Sequence, residues 1–431
     1  MRRSAGRAIA VLTTILMGAI LLAQGQDVFR IPRDHPAIQY STRPTRDAIA
    51  TLNERIDNGA LQLGFEASPR GYLTSVLKAL DIPPSSQTLV FSENSLQRAH
   101  ISQATPRAIY FNDMVAISWA KGAETMEATV LDAAQGVQFY SIAQTPQPKP
   151  QFVRRTDCLE CHLLPQTHGV PGLFTMSVLP LSDDKNDYAQ GWATDHRTPI
   201  DDRWGGWYVT GPQVPAKHLG NVPVLHVPRS YVRADVAPKL DSGVKAFDAS
   251  AYLTPHSDVV ALMVLNHQTH MTNLLIRLGW EARIGDHVVR HEAGKPGATR
   301  PNVKQTVIEL VDYMLFVDEA PLPSPIRGAT SFAQDFPAKG PRDGKGRSLR
   351  EFDLTYRLLR YPCSYMIYSE AFDALPPAAK RDVYQRMWDV LSGNDTAKAY
   401  AAFSQADRSA IVEILRETKP GLPDYFQPIA R

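Results

Sequence analysis

The stretch MEATVLDAAQGVQFYSIA, residues 126–143, alternates apolar and polar side chains on either side of Ala-Ala-Gln. A period of two is the signature of a half-buried strand, so these residues predict a hairpin or a pair of adjacent strands. Working outward, the same signal recurs in QTLVFS (87–92), RAIYFN (107–112) and MVAISWA (114–120), and again in LFTMSVL (173–179) and GGWYVTG (205–211). Before the strands, two helices are expected in RDAIATLNERIDNG (46–59) and GYLTSVLKALD (71–81), with Thr45 as the cap of the first. From Ser257 the period changes. SDVVALMVLNHQTHMTNLLIRLGWEAR (257–283) places Val260, Val264, Met271, Leu274 and Leu278 at helical spacing. KQTVIELVDYMLFVDE (304–319) and most of 349–418 share that pattern, and Ser404 with Asp407 opens the last helix. The expected class is α+β, with a strand-rich N-terminal half and a mainly helical C-terminal half.

Between the halves, proline-rich QTPQPKPQF (144–152) delivers the chain to TDCLECHLLPQTH (156–168). Cys158, Cys161 and His162 form C-x-x-C-H, the attachment pattern of c-type haem. The chemistry needs that spacing: two sulfurs reach the two vinyl groups along one ring edge, and the adjacent imidazole is carried under the iron. Cys158 and Cys161 are then the thioether anchors of one covalent haem c, and His162 is the proximal iron ligand. Two rival readings use the same residues. A redox or structural disulfide needs C-x-x-C but no histidine after it. A zinc site built from Cys158, Cys161 and His168 lacks the second close pair of the usual structural sites.

The compartment agrees with haem attachment. The chain opens MRRSAGRAIAVLTTILMGAILLAQGQ, with Arg2, Arg3 and Arg7 before an apolar run and with Ala23 and Gly25 at the −3 and −1 positions of a cleavage site. The run is short of the ~20 residues a membrane span needs. A cleaved signal over 1–25 and a periplasmic or otherwise exported product are expected, with an uncleaved N-terminal anchor as the alternative. Three of the 46 basic residues and none of the 44 acidic ones precede Gln26, which leaves the mature chain near neutrality. No basic stripe is present, which argues against nucleic acid as a partner. With three cysteines in 431 residues, and two used by the motif, Cys363 remains as a buried thiol and no disulfide framework is expected.

The expected organisation is a signal (1–25), a mixed α/β region (26–150), a haem-attachment region (151–235) and a mainly helical region (236–431). His267 sits within the apolar stripe of the long helix. It reads as a core histidine with a hydrogen-bond partner or as the distal iron ligand; His270, Met271 and Met176 are weaker candidates for that place. Arg154 and Arg155, just before the motif, and Arg203 have the planar fork that suits haem propionates. His196 with Asp195 reads either as an acid–base pair or as part of a polar turn.

Beyond C-x-x-C-H, the passages TPRAIYFND (105–113), RWGGWYVTG (203–211) and RYPCSYMIYSEAFDALP (360–376) resemble those of exported bacterial monohaem c-type cytochrome domain proteins, a large group carrying a single such motif. The resemblance extends over most of the mature chain. It implies haem and iron binding and electron transfer with a periplasmic redox protein or a membrane electron-transport complex. Two other functions remain open at this point: a haem-c sensor with a PAS-like pocket, and a peroxidase-type enzyme with an open distal site.

Overall fold

The computed structural model describes residues 31–67, 69–178, 191–222, 247–295 and 300–429; the export signal read at the N-terminus lies outside them. The N-terminal half is built on a seven-stranded antiparallel sheet: β1 (Thr88–Val90), β2 (Arg107–Phe111), β3 (Val115–Trp119), β4 (Thr125–Asp132), β5 (Gly136–Ala143), β6 (Val153–Arg154) and, from further along the chain, β9 (Trp207–Tyr208). Its order, β6-β5-β4-β3-β2-β1-β9, is a meander closed at one edge by β9. β7 (Thr175–Val178) and β8 (Gly191–Thr194) make a separate antiparallel pair. The alternation in 126–143 is a hairpin of β4 and β5, with Met126 opposite Ile142 and Asp132 opposite Gly136.

The helices are α1 (Ala48–Asp57), α2 (Leu73–Ala79), α3 (Leu159–His162), α4 (Val259–His291), α5 (Val303–Met314), α6 (Phe332–Ala338), α7 (Glu370–Asp373), α8 (Pro377–Leu391) and α9 (Gln405–Thr418). The chain is therefore α+β, with the sheet in the first half and helices dominating the second. Two details differ from expectation. Asp47, not Thr45, caps α1 by accepting from Ile49 and Ala50 N–H, because a carboxylate two residues nearer can reach both. Residues 349–364 form no helix, since Leu354 takes a left-handed φ of 56° and Pro362 interrupts the run.

The sheet separates two layers. One face, carrying Tyr110, Ile117, Met126 and Ala128, packs on Ile49, Leu52, Leu73 and Val76 of α1 and α2. The other face meets α4, whose 33 residues span about 50 Å. Asp258 caps α4 through Val260 and Ala261 N–H. Val260, Val264, Met271, Leu274 and Leu278 of α4 are fully buried, as their spacing predicts. Each such side chain contributes roughly 1.5–3 kcal/mol by leaving water. The cluster around α4 runs from Ile31 to Phe426, so the sheet, the cysteine motif and the C-terminal helices share one core. Among the described residues no helix is long and apolar enough to cross a membrane.

Candidate functional site

β6 pairs with β5 at the sheet edge and ends four residues before Cys158. From there the backbone makes one helical turn: Cys161 N–H and His162 N–H both donate to the Cys158 carbonyl, at 3.2 and 3.0 Å. The turn puts the two thiols three residues apart on one side, with His162 beside them. Leu159, 5% exposed, pins α3 into the core. Cys158, Cys161 and His162 all line a recess open to solvent that encloses about 990 Å³ of empty space.

The floor of that recess is the α4-facing side of the sheet. Register explains its composition. Ile109, Ser118 and Glu127 stand in one cross-strand row, and Ala116, Thr129 and Phe139 in the next. In RAIYF, VAISW and MEATV the alternate residues on this side include the short Ala116, Ser118 and Thr129, which leave space above the middle of the sheet, while Arg107, Ile109 and Glu127 border it. Thr269 and Leu265 of α4, Phe174 and Trp207 complete the walls.

His162 is held in one tautomer. Its Nδ1 lies 2.9 Å from the Gly172 carbonyl, which can only accept, so Nδ1 carries the proton and Nε2 keeps its lone pair. Nε2 has no hydrogen-bond partner among the described residues. Burial pushes the imidazole down to about 4, so it is neutral at physiological pH. Phe139 and Phe174 flank the ring, at centroid distances of 5.0 and 6.0 Å. The carbonyl is itself fixed by α4: Asn273 accepts from Leu173 N–H and donates to Leu173 C=O, at 3.0 and 2.6 Å. A Cβ on Gly172 would stand 2.2 Å from Asn273 Oδ1. Gly172→Ala is thus expected to displace that brace, costing on the order of 1–3 kcal/mol of stability, measured by denaturant unfolding.

The two cysteines are free thiols, Cys158 half-buried and Cys161 exposed. Burial, with Glu127 and Asp157 nearby, pushes Cys158 up to about 11. A redox-active C-x-x-C depends on the opposite shift. The zinc set is not assembled either: His168 turns to His270 and Glu309, and no group of three His, Cys, Asp or Glu suited to a metal occurs among the described residues.

The arginines named from sequence are used elsewhere. Arg154 donates to the Tyr40 carbonyl and lies over its ring. Arg155 is paired with Asp157. Arg203, 2% exposed, ties its own loop together through the Thr198 and His196 carbonyls. Among the described residues it is Arg107, at the start of β2, that lines the recess. It bonds Ser95 Oγ at 3.1 Å and faces Glu127 at 3.5 Å, while its Nε is buried without a partner. The signal for it was present: in RAIYF, period two puts Arg107 on the same face as Ile109.

His267 does not line the recess. It is fully buried, with Nδ1 2.8 Å from His196 Nδ1 and Nε2 2.7 Å from Ser364 Oγ. Both nitrogens are committed, so the structure favours the core-histidine reading over the distal-ligand one. The physical reason is rotational: α4 turns His267 towards α5 and 364–368, away from the sheet. His196 stacks on Tyr313 and Phe316 at 4.0 and 4.5 Å and is 2% exposed, while Asp195 faces His270 instead. No protein-family model, curated protein or solved structure matches the chain.

Proposed function

We propose that this protein is an exported c-type cytochrome that holds one haem covalently and passes single electrons to or from a periplasmic redox protein or a membrane electron-transport complex. The observation that carries this reading is His162: an oriented, neutral imidazole with an unshared Nε2, flanked by two thiols one helical turn apart at a recess floored by the sheet. Those are the three donors that haem c requires, in the order it requires them. Cys158 and Cys161 anchor it, His162 ligates the iron, and Gly172 with Asn273 fixes the imidazole plane. When bound, the haem supplies a reversible ferric–ferrous couple.

Arg107 takes over the role the sequence suggested for Arg154, Arg155 and Arg203. A guanidinium at the recess wall, bonded to Ser95 and facing Glu127 but with its Nε unpartnered, has donor capacity left for a propionate, and its charge favours the ferrous state. Arg107→Gln is expected to lower the midpoint potential by on the order of 60 mV, one decade in equilibrium constant for one electron. A spectroelectrochemical titration checks this; an unchanged potential would remove Arg107 from the site.

The deciding experiment is the ferrous absorption spectrum with and without carbon monoxide, after expression with c-haem maturation machinery. Covalent haem with a low-spin spectrum insensitive to carbon monoxide is the expected result for electron transfer. A carbon monoxide shift would turn the reading to the sensor or the peroxidase-type enzyme, and absence of covalent haem would sink all three.

A further inference from the structure

Behind Phe174 and Thr269, which border the recess on their other side, lies a second pocket of about 470 Å³. Its polar lining includes Gln166, His168, Thr194, Asp195 and His270. His168 comes from the loop after the cysteine motif, His270 from α4, and Asp195 from the end of β8. Four groups stand in a line. Glu309 Oε1 is 3.7 Å from His168 Nδ1, the two Nε2 atoms are 3.3 Å apart, and His270 Nδ1 is 3.5 Å from Asp195 Oδ2.

The order of atoms sets a problem in charge. A carboxylate lies on the Nδ1 side of each ring, too far for a hydrogen bond but near enough to favour the tautomer protonated there, in which both Nε2 atoms present lone pairs to one another. Two facing lone pairs at hydrogen-bond distance repel unless a positive centre lies between them. We infer that this centre is a divalent transition-metal cation of the zinc–copper class, bound by Nε2 of His168 and Nε2 of His270, with its other positions open to the pocket.

Three further observations support the assignment. Metal–imidazole bonds of 2.0–2.1 Å in a tetrahedral arrangement put two ligand nitrogens about 3.3 Å apart, and the separation here is 3.3 Å. A carboxylate on the far nitrogen is the usual outer partner of a metal-bound histidine, and here each ring has one. His168 also takes a left-handed φ of 56°, a conformation that a non-glycine residue keeps where its surroundings hold it. The nearby Arg277 is balanced by Glu281 at 2.9 Å. Among the described residues no third His, Cys, Asp or Glu completes the set, so water or a small ligand in the pocket fills the remaining positions.

The test uses the full-length mature protein with its motif thiols consumed, either by haem or by alkylation, so that Cys158 and Cys161 do not compete. Zinc chloride is titrated calorimetrically, and cobalt chloride is followed by visible absorption. One equivalent is expected, weakened at least tenfold in His168→Gln and in His270→Gln. Asp195→Asn, which leaves both ligands in place, is expected to weaken it about tenfold and decides the matter if either histidine variant fails to fold. No uptake by the parent protein overturns the proposal, as does uptake unchanged in the variants. A changed haem spectrum in His270→Gln without any zinc uptake in the parent would assign His270 to the iron and overturn it equally.

Discussion

The Cys158→Ser, Cys161→Ser double variant is expected to contain no covalently attached haem, where one per chain is expected in the parent. Serine keeps the size and the local turn, since the hydrogen bonds of α3 run through the backbone carbonyl of residue 158. What it lacks is the sulfur that forms a thioether. Each single variant should retain attachment through the remaining sulfur at reduced yield. The readouts are haem staining after denaturing electrophoresis and intact mass. Because His162 keeps its bond to Gly172 in the variant, loosely held haem in the native protein agrees with the proposal. Haem that survives denaturation in the double variant would defeat it.

His267→Leu is expected to leave the haem spectrum unchanged and to destabilise the fold by about 2–4 kcal/mol. The side chain is fully buried between Tyr313 and Phe316, with ring centroids at 5.3 and 4.5 Å, and both nitrogens are bonded. Leucine restores most of the volume but strands His196 Nδ1 and leaves Ser364 Oγ with Met366 N–H alone. Denaturant unfolding monitored by circular dichroism measures the loss. The acid limb of stability gives an independent check. Burial holds His267 down to about 3, so the folded state keeps it neutral, while the unfolded chain protonates it below its ordinary 6.5. Stability contributed by this group is therefore complete above pH 6.5 and declines as pH falls towards 3, by about 1.4 kcal/mol per unit. The decline should be correspondingly shallower in His267→Leu. A lost or high-spin iron signature in that variant would restore His267 as a distal ligand.

Several features of this chain were legible from residue order alone. The period of two in 107–143 and the period near 3.6 in 257–283 placed the sheet and α4, because burial of one face imposes those periods on any chain. The arrangement of Cys158, Cys161 and His162 likewise needed no distant neighbours, because one helical turn is enough to array them. Two of the propionate candidates were chosen by proximity in sequence, a criterion blind to where a side chain points. Arg154 and Arg155 adjoin the motif but point to Tyr40 and Asp157, whereas Arg107 reaches the recess from fifty-one positions upstream of Cys158 through the pairing of β2, β3 and β4. The role of His267 depended on the rotation of α4 about its own axis, set by packing against α5 and the segment around Ser364. The bond from His162 to Gly172, and the meeting of His168 with His270, join residues through loop geometry and a helix a hundred positions away. Periodicity and short motifs carry what is decided by neighbours in the chain. Which distant side chains face one another is decided by how the layers close, and that is a property of the whole core.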